Sequence, residues 1–372
     1  MRRQSQRIVL SLLLSLVLLT LFAISATAST LEESEGVLDQ AMESLTELLP
    51  KGAPVPNDPE ALSEGVGIRA VWKTLADAVM GERSEAVSFF LYVFGVAVLM
   101  AIANLLCAGL THGAAVQRAI LAVLAVSVYE RLSLAFSQVK EGLVELSSFF
   151  GGIVPIMTTL TLAGGGESSG AAGALGMSIT LKLIETLATS VLLPIVSMIF
   201  AVTLVGAIGE DGGIGALSIG IKRLFLWVLG IVTTLTGAAF ALQTVITAAQ
   251  DSTAMRALKY TASGMIPIVG STVSGALSTL AAGVSYMKSV VGVSSIVGIF
   301  LLMLPSLTRL FLYRFSLDVC AIFLDFCGAA GAGKTLSAFR SALDSMIAVM
   351  ALSGTLLIFE IVMFMKCGVA LL

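Results

Sequence analysis

Between residues 87 and 365 the chain strings together apolar runs close to 20 residues long, separated by short polar breaks. About 20 apolar residues in a helix are needed to cross the ~30 Å hydrocarbon core of a bilayer. Inside that core every backbone amide and carbonyl must find a partner within the protein, so only helices and closed barrels can span it. The runs are unbroken rather than alternating, which selects helices. Charge agrees, because 12% of the 372 residues are charged and 57% are hydrophobic, against roughly 25% charged in a soluble domain. The expected fold is all-α: a polytopic α-helical integral membrane protein of about six to eight transmembrane helices embedded in the lipid bilayer. The candidate spans are 87–109, 116–136, 144–163, 174–208, 224–249, 263–284, 289–307, 310–327 and 341–365. The fourth is broken at Pro194, and the amphipathic stretch 130–150 suits the membrane interface.

The N-terminus has a different character. MRRQSQR is basic, IVLSLLLSLVLLTLFAISA is apolar, and Ala26-Thr27-Ala28 closes the run. This is the plan of a secretory signal peptide over residues 1–28, or of an uncleaved anchor. Either would deliver residue 29 onward to the outside of the cytoplasm. Residues 29–85 hold twelve of the 24 acidic residues against four basic ones. LEESEGVLDQAMESLTELL has helical apolar spacing, PKGAPVPNDP is a linker, and a second amphipathic stretch runs from Ala61 to Met80. The organisation expected is an exposed, acidic, extracytoplasmic helical arm over 29–85 and a multispan membrane domain over 86–372. With the arm outside, span alternation puts Arg256 and Lys259 inside and Glu210-Asp211 outside, as the positive-inside tendency requires. Lys222 and Arg223 fit that count poorly.

GAAGAGKT, residues 328–335, satisfies the phosphate-loop pattern at Gly328, Gly333, Lys334 and Thr335. Such a loop works where a buried parallel strand delivers a turn to a helix N-terminus whose amides cradle phosphate, and a parallel sheet needs long crossover connections. Only 37 residues follow Thr335, most of them apolar. Leu356-Leu-Ile-Phe-Glu360, which imitates the acidic strand of such sites, lies within the last span. Nucleotide binding at Gly328–Thr335 is therefore rejected. The expected structure is a small-residue turn between the last two spans, facing outward, with Lys334 and Arg340 marking the water boundary. Four cysteines (Cys107, Cys320, Cys327 and Cys367) sit in or beside apolar runs with no CxxC pair, which argues against a disulfide framework or zinc site. His112 is the single histidine, so no metal site is expected, and a net charge of -3 gives no basis for a nucleic-acid partner.

Ionisable residues within spans are costly and mark sites of interest. Lys182 and Glu185 stand at i,i+3, close enough to pair. Arg314, Asp318 and Asp325 share one helix face at i,i+4 and i,i+7. Such a face could relay protons or ions, or form an internal salt-bridge seam. GSTVSGALSTLAAG (270–283) carries two small-residue ridges, one of Gly270, Ser274, Ser278 and Ala282, the other of Ser271, Gly275, Thr279 and Gly283. Ridges of this kind let helices approach backbone to backbone, or line a narrow passage. No catalytic or cofactor-binding constellation emerges.

Gln243, IPIVG (266–270), SGALSTLAAG, Lys288, VVGVSSIVG (290–298) and Pro305 carry a resemblance. The sequence resembles the stage III sporulation protein AE family, most strongly over 220–310. The resemblance implies a mother-cell membrane protein of endospore formers that surrounds the forespore, with its N-terminal arm in the intermembrane space. It implies a non-enzymatic subunit of a channel or secretion-like complex between the two cells, needed for spore development. Its partners would be other membrane subunits of that complex and, indirectly, the forespore-side stage II sporulation protein Q; the ATPase would be a separate subunit. The alternative is a proton-coupled secondary transporter of a small solute using Arg314, Asp318 and Asp325.

Overall fold

The computed structural model describes residues 68–107, 113–163, 167–208, 217–241 and 270–366, with Ser44, Glu47 and Leu48 of the arm. The signal segment, the Pro-rich linker, His112, Cys367, Glu210-Asp211, Arg256 and Lys259 lie outside the described residues. The described chain is essentially all helical: α1 (Ile68–Cys107), α2 (Gly113–Ala163), α3 (Glu167–Thr186, a π turn Leu187–Leu192, then Leu193–Ile208), α4 (Leu217–Ala241), α5 (Gly270–Phe326) and α6 (Ala330–Lys366). Each of the six contains a segment long and apolar enough to cross a membrane.

The span boundaries differ from the sequence expectation because several neighbouring runs fuse. Runs 116–136 and 144–163 are one helix of 51 residues, and 263–284, 289–307 and 310–327 become one of 57 residues that begins at Gly270. No breaker separates them. In α2 the buried stripe Leu132, Ala135, Val139, Leu143, Leu146 passes without a phase shift through the stretch expected in the interface. Pro155 and Pro305 are absorbed inside α2 and α5. Pro194 does not break α3 but is preceded by the π turn, in which the Leu193 amide donates to Ala188 O, five residues back. A proline lacks an amide and its ring crowds the carbonyl four residues earlier, and the wider turn accommodates both defects. At 1.5 Å per residue, α2, α5 and α6 are about 75, 85 and 55 Å long. All exceed the ~30 Å core, so each continues beyond a bilayer.

α5 and α6 form an antiparallel hairpin at the centre, with 67% and 78% of their spans buried, whereas the other four are 28–39% buried. α1 lies beside α5 and parallel to it: Phe89 stacks on Tyr313 with ring centroids 4.0 Å apart, and Phe94 meets Phe323 at 5.0 Å. α2 packs on both helices of the hairpin and α3 on α6, and α4 touches α6 through Phe240 and Phe359 at 5.0 Å. Close approach depends on glycines. A Cβ on Gly354 would strike the Met303 thioether, one on Gly292 the Met365 thioether, and one on Gly173 would come within 2.6 Å of the Phe364 ring.

One end of the bundle gathers the C-terminus of α1, the N-terminus of α2 and the α5–α6 turn. Gln117 donates to Asn104, and Asn104 lies against Gly328. Ile68, where α1 leaves the arm, is at the other end. The turn therefore faces away from the arm, which corrects the expectation that both lie on one side. The fusion of 116–136 with 144–163 into α2 is the cause, because it removes one crossing, whereas the fusion that makes α5 removes two and leaves the side unchanged. α4 also starts at the turn end, so Lys222 and Arg223 stand near the side that carries Arg118 and Lys334.

Candidate functional site

The charges inside the helices meet at helix contacts. Arg314 Nε of α5 donates to Asp344 of α6, and Arg340 Nη1 of α6 donates to Asp318 of α5 at 2.5 Å. Arg309 Nε reaches Glu82 at 2.7 Å and Glu85 at 3.0 Å, tying α5 to α1. Lys222 of α4 lies within electrostatic reach of Asp344. The Arg340 side chain is 7% exposed, and Asp344 and Glu82 are each 14% exposed. Breaking a pair shielded to this degree strands a charge in a poor solvent. Arg340 therefore sits in the packed interior and not at the water boundary. Arg131 covers the Tyr92 ring at 4.9 Å, a cation–π contact between α2 and α1.

The expected Arg314–Asp318–Asp325 face is divided. Arg314 and Asp318 point into the hairpin and are paired, while Asp325 is exposed beside the turn, with its carboxylate against Gly333. An interhelical salt-bridge seam describes the first two. Lys182 and Glu185 pair at 3.3 Å as their spacing predicts, with Lys182 73% exposed and Glu185 30%. Ser147 donates to the same Glu185 oxygen at 3.1 Å, linking α2 to α3. This contact borders a pocket that Ser353 and Leu357 of α6 also line. The ridge residues Gly270, Ser274, Gly275, Ser278, Thr279 and Gly283 fall on the first turns of α5; their side-chain surroundings lie outside the described residues.

The phosphate-loop pattern is a helix–turn–helix. Gly328 has φ +77°, the left-handed conformation that closes many helices. The Ala329 amide donates to Leu324 O at 2.9 Å and the Gly328 amide to Asp325 O at 3.2 Å, the paired bonds of a Schellman ending. Ala329 O then accepts the Ala332 and Gly333 amides at 3.0 and 3.1 Å, which starts α6. Four amides of the motif are thus spent on the turn, where a phosphate cradle would need them free. Thr335 donates its hydroxyl to Gly331 O at 3.1 Å, and Lys334 is exposed. Leu356–Glu360 is buried helix, not strand.

A family model, stage III sporulation protein AE, matches residues 62–368. The chain belongs to the stage III sporulation protein AE family. The match takes in the arm's last residues and all six helices, so the resemblance carried by residues 220–310 extends over the whole membrane domain. No curated protein and no solved structure is similar enough to the chain to count as a match.

Sequence reasoning missed Asp344, Glu82, Glu85 and Arg309, and misplaced Arg340. Arg309 is 227 positions from Glu82 and nearly as far from Glu85, so helix spacing carries no hint of the tie. The α5–α6 pairs did leave a trace: RFSLD at 314–318 returns as RSALD at 340–344. Among the described residues there is no cluster of three metal-ligating side chains.

Proposed function

We propose that this member of the stage III sporulation protein AE family is a non-enzymatic membrane subunit of a channel or secretion-like complex linking mother cell and forespore. The observation that carries the reading is the family match over residues 62–368. In this reading the chain sits in the mother-cell membrane around the forespore, with the acidic arm in the intermembrane space and the α5–α6 turn in the cytoplasm. Arg118, Lys222, Arg223 and Lys334 then share the cytoplasmic side, as the positive-inside tendency favours. Outer helices that expose Leu99, Leu105, Leu106, Trp227 and Leu235 offer apolar surface to lipid and to other membrane subunits of the complex. The proton-coupled transporter gains nothing from the geometry, because two of its three groups are engaged in ion pairs. Nucleotide hydrolysis stays with a separate subunit, since the amides of GAAGAGKT close a helix turn.

Affinity purification of the tagged full-length chain from sporulating cells tests this. The other membrane subunits of the complex should co-purify, and deletion of residues 29–60 should reduce their recovery while the chain remains in the membrane. Recovery of the chain alone, combined with solute uptake by vesicles containing only this protein, would overturn the reading in favour of the transporter.

A further inference from the structure

The string Arg-x-x-Leu-Asp occurs once on each arm of the central hairpin, at 314–318 and at 340–344. The copies run antiparallel about Ala329, so the first residue of each meets the last residue of the other. Arg314 bonds Asp344 and Arg340 bonds Asp318. Between these pairs Leu317 and Leu343 are fully buried. Within each copy the Arg and Asp are also one helical turn apart on one face, the spacing at which side chains of a single helix pair. The same four charges therefore have two complete ways to neutralise one another, across the hairpin or along each helix.

A lone buried pair has no such choice, because parting its helices leaves two uncompensated charges. The observed, crossed pairing is the one expected to dominate, since a cation placed before its acid is the weaker order for an i,i+4 pair. Arg340 has a donor to spare for an exchange: its Nε is buried with no hydrogen-bond partner while Nη1 holds Asp318. Such an orphaned donor asks for an explanation. Asp344 stands one turn along the same helix. Lys222 of α4 remains near Asp344 in either pairing.

We propose that the two Arg-x-x-Leu-Asp copies form a partner-exchange clamp. α5 and α6 part, each Arg passing from the Asp of the other helix to the Asp of its own, and no charge is stranded on the way. The clamp follows from hairpin geometry alone; only its use in spore development rests on the function proposed above.

Three charge reversals in the purified full-length chain separate the two pairings, read as hydrogen exchange of α5 and α6 amides. The cross-helix reversal Arg314→Asp with Asp344→Arg keeps both crossed pairs but puts like charges along each helix. It should fold and exchange about tenfold more slowly than the reversal of all four residues, which sets the same charge beside Lys222, the effect of ~1.4 kcal/mol on opening. The same-helix reversal Arg314→Asp with Asp318→Arg keeps pairing along α5 but opposes like charges across the hairpin. It should exchange on the order of a hundredfold faster than wild type, or fail to fold. Reversal of all four residues restores both pairings with the same charge beside Lys222 as in the cross-helix reversal, and should exchange faster than that reversal. A cross-helix reversal that exchanges no more slowly than the fourfold reversal, or that unfolds while the fourfold reversal folds, overturns the clamp. So does a same-helix reversal with wild-type exchange, or a fourfold reversal that does not fold. In a sporulating host the cross-helix reversal should lose spores and the fourfold reversal should retain them. Exchange in the stated order with full sporulation of the cross-helix reversal would uphold the clamp but refute its use there.

Discussion

The α5–α6 hairpin and the shell around it are built from similar sequences to opposite ends. Both are apolar, glycine-rich and broken by occasional charges. α6 is 78% buried across its span and exposes no large hydrophobic residue among those described, while α4 is 28% buried and exposes Leu217, Ile219, Leu224, Leu226, Trp227, Ile231 and Leu235. Apolar surface between two helices and apolar surface facing lipid do not differ in driving force. What distinguishes the hairpin is specific: crossed ion pairs, glycines pressed against Met303 and Met365, and a turn that spends its own amides. The shell, by contrast, is held among the described residues by aromatic contacts, by Arg309 to Glu82 and Glu85, by Arg131 over Tyr92, and by hydrogen bonds from Gln117 to Asn104 and Ser147 to Glu185. Specificity is concentrated at the centre, and the periphery is left adaptable to lipid or partners.

That contrast ranks the substitutions. The largest effect should come from Asp344→Ala, which strands Arg314 and leaves Lys222 without its nearby acid. A loss of about 3–5 kcal/mol is expected in denaturant unfolding of the purified protein, and an effect under ~1 kcal/mol would mean the pair is solvated and the hairpin is not its own core. Next is Gly354→Leu, where the side chain must displace Met303 from a packed site. About 1–3 kcal/mol should be lost, against little change for the same replacement at Gly237, beside which nothing lies within 4 Å. Gly328→Ala should cost about 1–2 kcal/mol, because φ +77° crowds a Cβ, seen as a lowered melting temperature with unchanged helix content. Smallest is Trp227→Ala in the shell, 71% exposed, expected within about 0.5 kcal/mol. A large loss there would mean that α4 is seated against a partner or is part of the core.

The fold class was legible in the sequence, since run length and low charge fix helices in a bilayer. The sequence did not reveal where one helix stops. Ser137–Leu143 and Ser285–Lys288 look like breaks because they are polar, yet polarity ends a span, not a helix, and neither stretch contains a proline. Pro194 looked like a break and became a π turn, because the helix can add one residue to the turn instead of ending. In the charged site, pairs within one helix were visible from spacing, as with Lys182 and Glu185. Arg314 and Asp318 were found as members of one face, but their partners needed the hairpin's fold-back. The repeated Arg-x-x-Leu-Asp was the available signal, and its meaning appears only once Ala329 is known to be the midpoint. For GAAGAGKT the turn between two helices was legible, but not which amides close it, because Gly328 supplies a left-handed helix end as readily as a loop.

Function is placed in the paired hairpin and not in the nucleotide-binding pattern at its tip. Complementation of a sporulating host lacking its own copy measures this directly, with Lys334→Ala and Asp344→Ala tested side by side and membrane levels checked by immunoblot. Wild-type spore counts with Lys334→Ala and a severe loss with Asp344→Ala are predicted. Spores lost with Lys334→Ala at normal protein level, and retained with Asp344→Ala, would contradict it.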